Sequence, residues 1–231
     1  ARVFVPVSAS DGVNVAAETN AVMPWWKGPS LLEAIDTLEP AGSTAEQPMR
    51  FPIQDVYRMD GRRILAGRIE SGTLQVGDQI LFSPHHKTAR VATIERWPDS
   101  AARSAAAGES IGITLREQIF IERGHVASHQ ANAPIESNRV HARVFWIGAE
   151  PLRPGSTYRL KLVTQDVECQ VAAIGSVIDA ATLDSAATDP GEIRINEVGE
   201  VTLQTRAPLV LDNHDRVPAL ARIGGGVHLS A

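Results

Sequence analysis

At 231 residues the chain is long enough for one large or two ordinary domains with real cores, and its 43% apolar content is that of a globular protein. No apolar run approaches the roughly 18–20 residues of a membrane span, and no charged leader with an apolar core opens the chain. The expectation is a cytoplasmic protein without a membrane partner. The formal net charge is −5 and no basic run exceeds Arg62-Arg63, a balance that counts against nucleic acid as a partner. Cys169 is the only cysteine, which excludes an intrachain disulfide and any cysteine-based zinc site. Val167, Cys169 and Val171 share one face of an alternating run, so the thiol reads as buried and structural.

In chain order, Val3–Val7 reads as a short buried strand and Ser8–Gly12 as a tight polar loop. With no initiator Met before them, the expectation is a piece of a longer protein. Met23–Pro29 is an aromatic loop in which Trp25 and Trp26 form a rigid plug between prolines. Ser30-Leu31-Leu32-Glu33 is a capping box. Leu31, Ile35 and Leu38 then recur on one helical face, and Pro40 stops the helix. Residues 1–40 thus form a strand, a loop and a short helix, the tail of an α/β unit. Residues 41–48 have linker composition.

Beyond the linker, short β-runs are broken by Gly, Pro and Asp about every ten residues, the rhythm of a sandwich or barrel. Residues 49–133 carry strands at Phe51–Tyr57, Ile64–Glu70, Gln79–Phe82, Thr88–Trp97, Ser110–Leu115 and Val126–Ser128. Ala101–Ala107 is Ala-rich, which favours helix, although its Ser, Arg and Gly content also allows a loop. Residues 134–231 form a second β-domain. There Val140, Ala142, Val144 and Trp146 alternate with His141, Arg143 and Phe145, and Tyr158, Leu160 and Leu162 with Arg159 and Lys161. Further strands are expected at Glu192–Ile195, Gly199–Thr205 and Leu209–Leu211.

Gly67–Asp78 reads as a strand, a Ser-Gly turn, a second limb and a Gly-Asp turn: a β-hairpin. Gly72 to Gly77 has the glycine spacing of a phosphate loop, but Asp78 stands where that loop needs a lysine and would repel phosphate. Lys27, Lys87 and Lys161 are the only lysines, and none follows a glycine loop. His85-His86 point opposite ways on an extended chain, without a third ligand nearby in sequence, so no metal site is expected. Gly224–Gly226 reads as a glycine bulge near the last strand. No catalytic triad or acid/base pair can be assembled, and no catalytic residue is assigned.

Together these stretches resemble a known family. Phe4–Val15 and Met23–Ile35 look like the end of the G domain of elongation factor Tu-type GTPases. Phe51–Tyr57, Gly67–Asp78, Gly108–Gly112 and Glu122–Val126 look like its second domain, a β-barrel. Val144–Tyr158, Ile195–Val201 and Ala207–Asp212 resemble the third domain of the large, GTP-binding subunits of bacterial sulfate adenylyltransferase, and the nodulation proteins with an added kinase domain are similar here. The resemblance implies two consecutive β-barrels after a G-domain remnant. It also implies that Ser8, Ala9 and Ser10 contact the guanine base once the rest of the G domain is present.

For the intact protein the resemblance further implies GTP and magnesium as cofactors. It implies a small catalytic subunit as partner, and GTP hydrolysis coupled to forming adenosine 5′-phosphosulfate from ATP and sulfate. The phosphate loop, switch regions and Asn-Lys-x-Asp motif of the family are not in this sequence, so this stretch itself is expected to bind no cofactor and to be inactive. Ala219–Gly226 looks shorter than the family's closing hairpin. The rival readings are a translation elongation or termination factor that binds tRNA or the ribosome, and a free-standing two-barrel interaction module.

Overall fold

Ser30 and Glu33 close the capping box: Glu33 N–H donates to Ser30 Oγ at 3.3 Å, and Ser30 N–H donates to Glu33 Oε2 at 2.8 Å. They start helix α1 (Leu31–Asp36), which Thr37 caps with its hydroxyl on the Ala34 carbonyl. The computed structural model describes residues 4–16, 22–38, 44–96, 102–179, 191–213 and 220. It divides into two units, Ala1–Gly42 and Ser43–Ala231.

In the first unit two expectations fail. Described residues of the expected N-terminal strand form no ladder: Phe4 is 83% exposed, and the only pairing is a single bridge between Ser8 and Val13. A buried strand needs neighbours on both sides, and this unit offers none among its described residues. The aromatic plug is half right. Trp26 donates its indole N–H to the Pro29 carbonyl at 3.0 Å and lies flat on Gly28, whereas Trp25 is 67% exposed. Ile35 and Leu38 of the predicted helical face are also exposed, and Ala34 is the residue α1 buries.

The second unit is built of strands β1 (Phe51–Met59), β2 (Arg62–Arg68), β3 (Thr73–Gln75), β4 (Gln79–Ser83), β5 (Lys87–Glu95), β6 (Ser104–Ala106), β7 (Ser110–Leu115), β8 (Val126–His129), β9 (Ile135–Phe145), β10 (Thr157–Leu162), β11 (Gln165–Asp179) and β12 (Glu197–Leu211). Strands β1-β2-β7-β5-β4-β8 close into an antiparallel barrel. Its interior is filled by the inward residues of the alternating runs, among them Phe51, Ile53, Leu65, Ile80, Phe82, Val91, Ile94 and Ile113.

The hairpin expected at Gly67–Asp78 does not form. β2 pairs with β1 and β7, while β3 pairs with β6 instead. The Ala-rich segment is therefore a strand, not a helix: Leu74 sits opposite Ala105, both buried, and small side chains let β6 press onto the core. Tertiary pairing has overridden helix propensity. Gly72 enters β3 with φ +73°, and a Cβ there would stand 2.4 Å from Met49 Cα. No other residue fits so close to that backbone.

Strands β10-β11-β12-β9 form a four-stranded antiparallel sheet over a second core of Trp146, Leu152, Tyr158, Leu160, Cys169, Val171, Val201 and Leu203. The alternation read from the sequence holds here, and the fold class is mainly β as expected. Two boundaries differ. Gly199–Thr205 and Leu209–Leu211 are one strand, β12, with a register shift between Gln204 and Leu209. Glu192–Ile195 is no strand but one bridge, Ile193 to Leu152. The closing segment Ala219–Gly226 lies outside the described residues except for Leu220.

The two β-domains meet through a buried cluster of Val126, Val210 and Leu220. Beside it, Arg50, 0% exposed, clamps Asp212 bidentately: Nε donates to Oδ2 at 2.7 Å and Nη2 to Oδ1 at 2.8 Å. Its Nη1 donates to the carbonyls of Met49 and Asn132. All three guanidinium nitrogens thereby donate, the condition for burying the group.

Candidate functional site

Ser8, Ala9 and Ser10 lie in the loop that the Ser8–Val13 bridge closes. Both serine hydroxyls turn onto Asp11, Ser8 Oγ donating to Oδ2 at 2.6 Å and Ser10 Oγ at 3.3 Å. Asn14 anchors the loop: it is buried, and its Nδ2 donates to the Pro6 carbonyl at 2.8 Å. The carbonyls of Asn14 and Val15 accept from the N–H groups of Leu31 and Leu32, two donors that the first turn of α1 leaves open. The loop is thus fixed to the helix start with Ala9 and Ser10 exposed.

Among the described residues no lysine follows a glycine loop. Asp78 caps a turn instead, its Oδ2 accepting from Gln75 N–H at 2.9 Å and contacting His129 Nε2 at 3.1 Å.

The barrel rim brings together residues that are far apart in sequence. β4 and β8 pair up to Ser83 opposite Val126, so the next residues out, Pro84-His85 and His125, share one end of the barrel. The His85 and His125 rings meet edge to face with centroids 4.9 Å apart. Glu122 lies just before His125 in the chain, its Oε1 3.8 Å from His125 Nε2. One ligand atom each from His85, Glu122 and His125 lie within 4.8 Å of one another. His125 is buried, His85 and Glu122 exposed. Burial, and then the nearby His85, lower the His125 pKa from its ordinary value, favouring the neutral ring.

Sequence spacing paired His85 with His86, which turns away to Glu136 at 3.3 Å. The true partners of His85 stand well downstream in the chain, where only strand register reveals them.

A groove of about 840 Å³ also opens between β2 and the segment after β7, lined by Arg58, Arg62, Arg63, Arg116 and Phe120. Arg63 donates to the Ile119 and Ile121 carbonyls and lies 5.6 Å from the centre of the exposed Phe120 ring. Arg62 is paired with Glu95 at 2.8 Å.

Residues 139–224 match the family described as GTP-eEF1A C-terminal domain-like. Sulfate adenylyltransferase subunit 1 of Shewanella oneidensis is 34% identical over 230 residues, 98% of this chain and 46% of that protein. Elongation factor 1-alpha of Staphylothermus marinus is 34% identical over 223 residues, 95% of this chain and 50% of that protein. These likenesses support a fragment of the elongation factor Tu-type GTPase superfamily. The chain spans about half the length of these relatives. Two crystal structures of Sup35, complexed with GDP and with GMPPNP, share its fold. They have TM-scores of 0.72 and 0.70 at 24% identity and cover 93% of this chain and 53% of theirs.

Proposed function

We propose that this chain is the C-terminal part of the GTP-binding subunit of sulfate adenylyltransferase, a G-domain remnant followed by the two β-domains. In that enzyme GTP hydrolysis drives formation of adenosine 5′-phosphosulfate and pyrophosphate from ATP and sulfate, in the cytoplasm, during sulfate assimilation. The γ-phosphate of magnesium-bound GTP supplies the charge that orders switch segments in such a GTPase. The two β-domains contribute a body to be moved. The Arg50–Asp212 pair and the Val126–Val210–Leu220 cluster hold them together, and their surface receives the small catalytic subunit.

One observation carries this reading over a tRNA- or ribosome-binding role. Six surface arginines are spent on neighbouring carboxylates: Arg62 on Glu95, Arg96 on Glu109, Arg143 on Glu200, Arg153 and Arg194 on Glu192, and Arg159 on Asp166. Binding to a phosphate backbone draws its strength from unpaired cations that displace counterions, and these six are already engaged. The rival, a translation factor module, is favoured by the equal likeness to elongation factor 1-alpha and by the arginine-lined groove beside Phe120.

The full-length protein, mixed with the small adenylyltransferase subunit and separately with aminoacyl-tRNA, distinguishes the two. Co-elution with the subunit and no filter retention of tRNA is expected. Retention of tRNA without subunit binding overturns the proposal.

A further inference from the structure

The rim cluster of the closed barrel goes beyond the nucleotide reading and does not depend on it. We propose that His85, Glu122 and His125 bind one borderline divalent transition metal ion, of the zinc, cobalt and nickel class. Two imidazoles and a carboxylate are the donor set those ions prefer, whereas magnesium and calcium take oxygen ligands.

The state of His125 points to a ligand. The residue is 5% exposed, its Nδ1 is buried without a hydrogen-bond partner, and its Nε2 stands beyond hydrogen-bond reach of Glu122 at 3.8 Å. A buried imidazole nitrogen without a partner is costly, and an ion taken by this ring beside the Glu122 carboxylate would give the imidazole one. Its backbone is tied into the barrel: Ile53 N–H donates to the His125 carbonyl at 2.8 Å, and Gly124 N–H donates to the Ile53 carbonyl at 3.0 Å.

The geometry is near enough to close. Ligand atoms within 4.8 Å of one another must approach to about 3.3–3.6 Å for tetrahedral bonds of about 2.0–2.2 Å. His85 and Glu122 are exposed, so both have room to move onto the fixed His125. Three protein ligands leave a fourth position for water. Lys87 is the opposing charge, and its ammonium is drawn aside to the Phe120 carbonyl at 2.9 Å. The bound ion would pin the β4–β5 turn to the loop before β8. Gly124 of that loop faces Thr164 and Gln165 of the second β-domain, so the staple would stiffen the junction between the two.

The test uses untagged protein freed of metal by chelation and then titrated with Co²⁺ and Zn²⁺. One equivalent of Co²⁺ giving a visible d–d band, displaced by Zn²⁺ but not by a large excess of Mg²⁺, is expected. His85→Ala and Glu122→Gln, both at exposed positions, should each weaken binding by more than roughly tenfold, the loss that even an outer-shell change brings. His86→Ala should leave it unchanged. Zn²⁺ should raise the melting temperature of the wild type and not of His85→Ala. Absence of a stoichiometric band overturns the proposal, as does equal binding by the His85 and Glu122 variants, or loss of binding in His86→Ala.

Discussion

Replacing Asp212 by Ala removes the counter-ion of a guanidinium that has no access to water. Arg50 and Asp212 have side-chain exposures of 0% and 1%, and the variant leaves Arg50 with only the Met49 and Asn132 carbonyls as acceptors. Breaking a buried pair from one side costs about 3–5 kcal/mol, a large part of the roughly 5–15 kcal/mol that holds a typical domain together. For a unit of this size each kcal/mol moves the melting temperature by about 2–4 °C, so Asp212→Ala should lower it by about 6–20 °C. The double variant Arg50→Met/Asp212→Leu separates charge from packing. With no buried charge left, it should recover most of the loss, since apolar replacement of a buried pair is often neutral or stabilising. Urea unfolding followed by circular dichroism reads both. If Asp212→Ala lies within about 1 kcal/mol of wild type, or the double variant is no better than the single, the pair does not hold the two β-domains together.

Gly61 and Gly72 both adopt left-handed φ, +74° and +73°, but a Cβ meets nothing within 4 Å at Gly61 and Met49 backbone at 2.4 Å at Gly72. Gly61→Ala should cost about 1–2 kcal/mol and Gly72→Ala distinctly more, and equal losses in thermal melts would refute close packing as the reason for Gly72. Burial raises the Cys169 thiol to about 11, so native protein at pH 8 should resist a thiol reagent that labels the urea-unfolded chain at once; fast native labelling would contradict this. Hydrogen bonds from Arg194, then Arg153, hold the Glu192 carboxyl below 4.5. That contribution is complete above pH 4.5 and is lost as pH falls through the folded value. Glu192→Gln should therefore flatten the acid limb of the stability curve, and an unchanged limb would show that the exposed network contributes nothing.

What was legible in the sequence follows the range of each interaction. The capping box spans three residues, and the alternation of Val140 to Trp146 is local, so both could be read directly. Strand partners could not. Nothing in Gly67–Asp78 says that β2 pairs with β7 and β3 with β6, because a hairpin and a barrel crossover share the same turn residues. The Ala-rich β6 misleads for the same reason, its small side chains being chosen by Leu74 across the ladder. Arg50 and Asp212 are 162 positions apart. The available signal was a charge between Met49 and Phe51 and another after Leu209–Leu211, in runs too apolar to solvate either. His125 was read only as part of the Glu122–Val126 stretch. The register of Ser83 with Val126 makes it a neighbour of His85.

Barrel closure has a topological corollary. Phe51 pairs with Ala127 and Pro52 with Val126, so the chain enters and leaves the barrel side by side. A segment whose two ends coincide can be spliced into another protein, or its order rotated, without breaking any ladder. Joining the residues before β1 to those after β8, and cutting at the exposed Asp60-Gly61 turn, would give a permuted barrel with the same neighbours throughout. The barrel is a cassette.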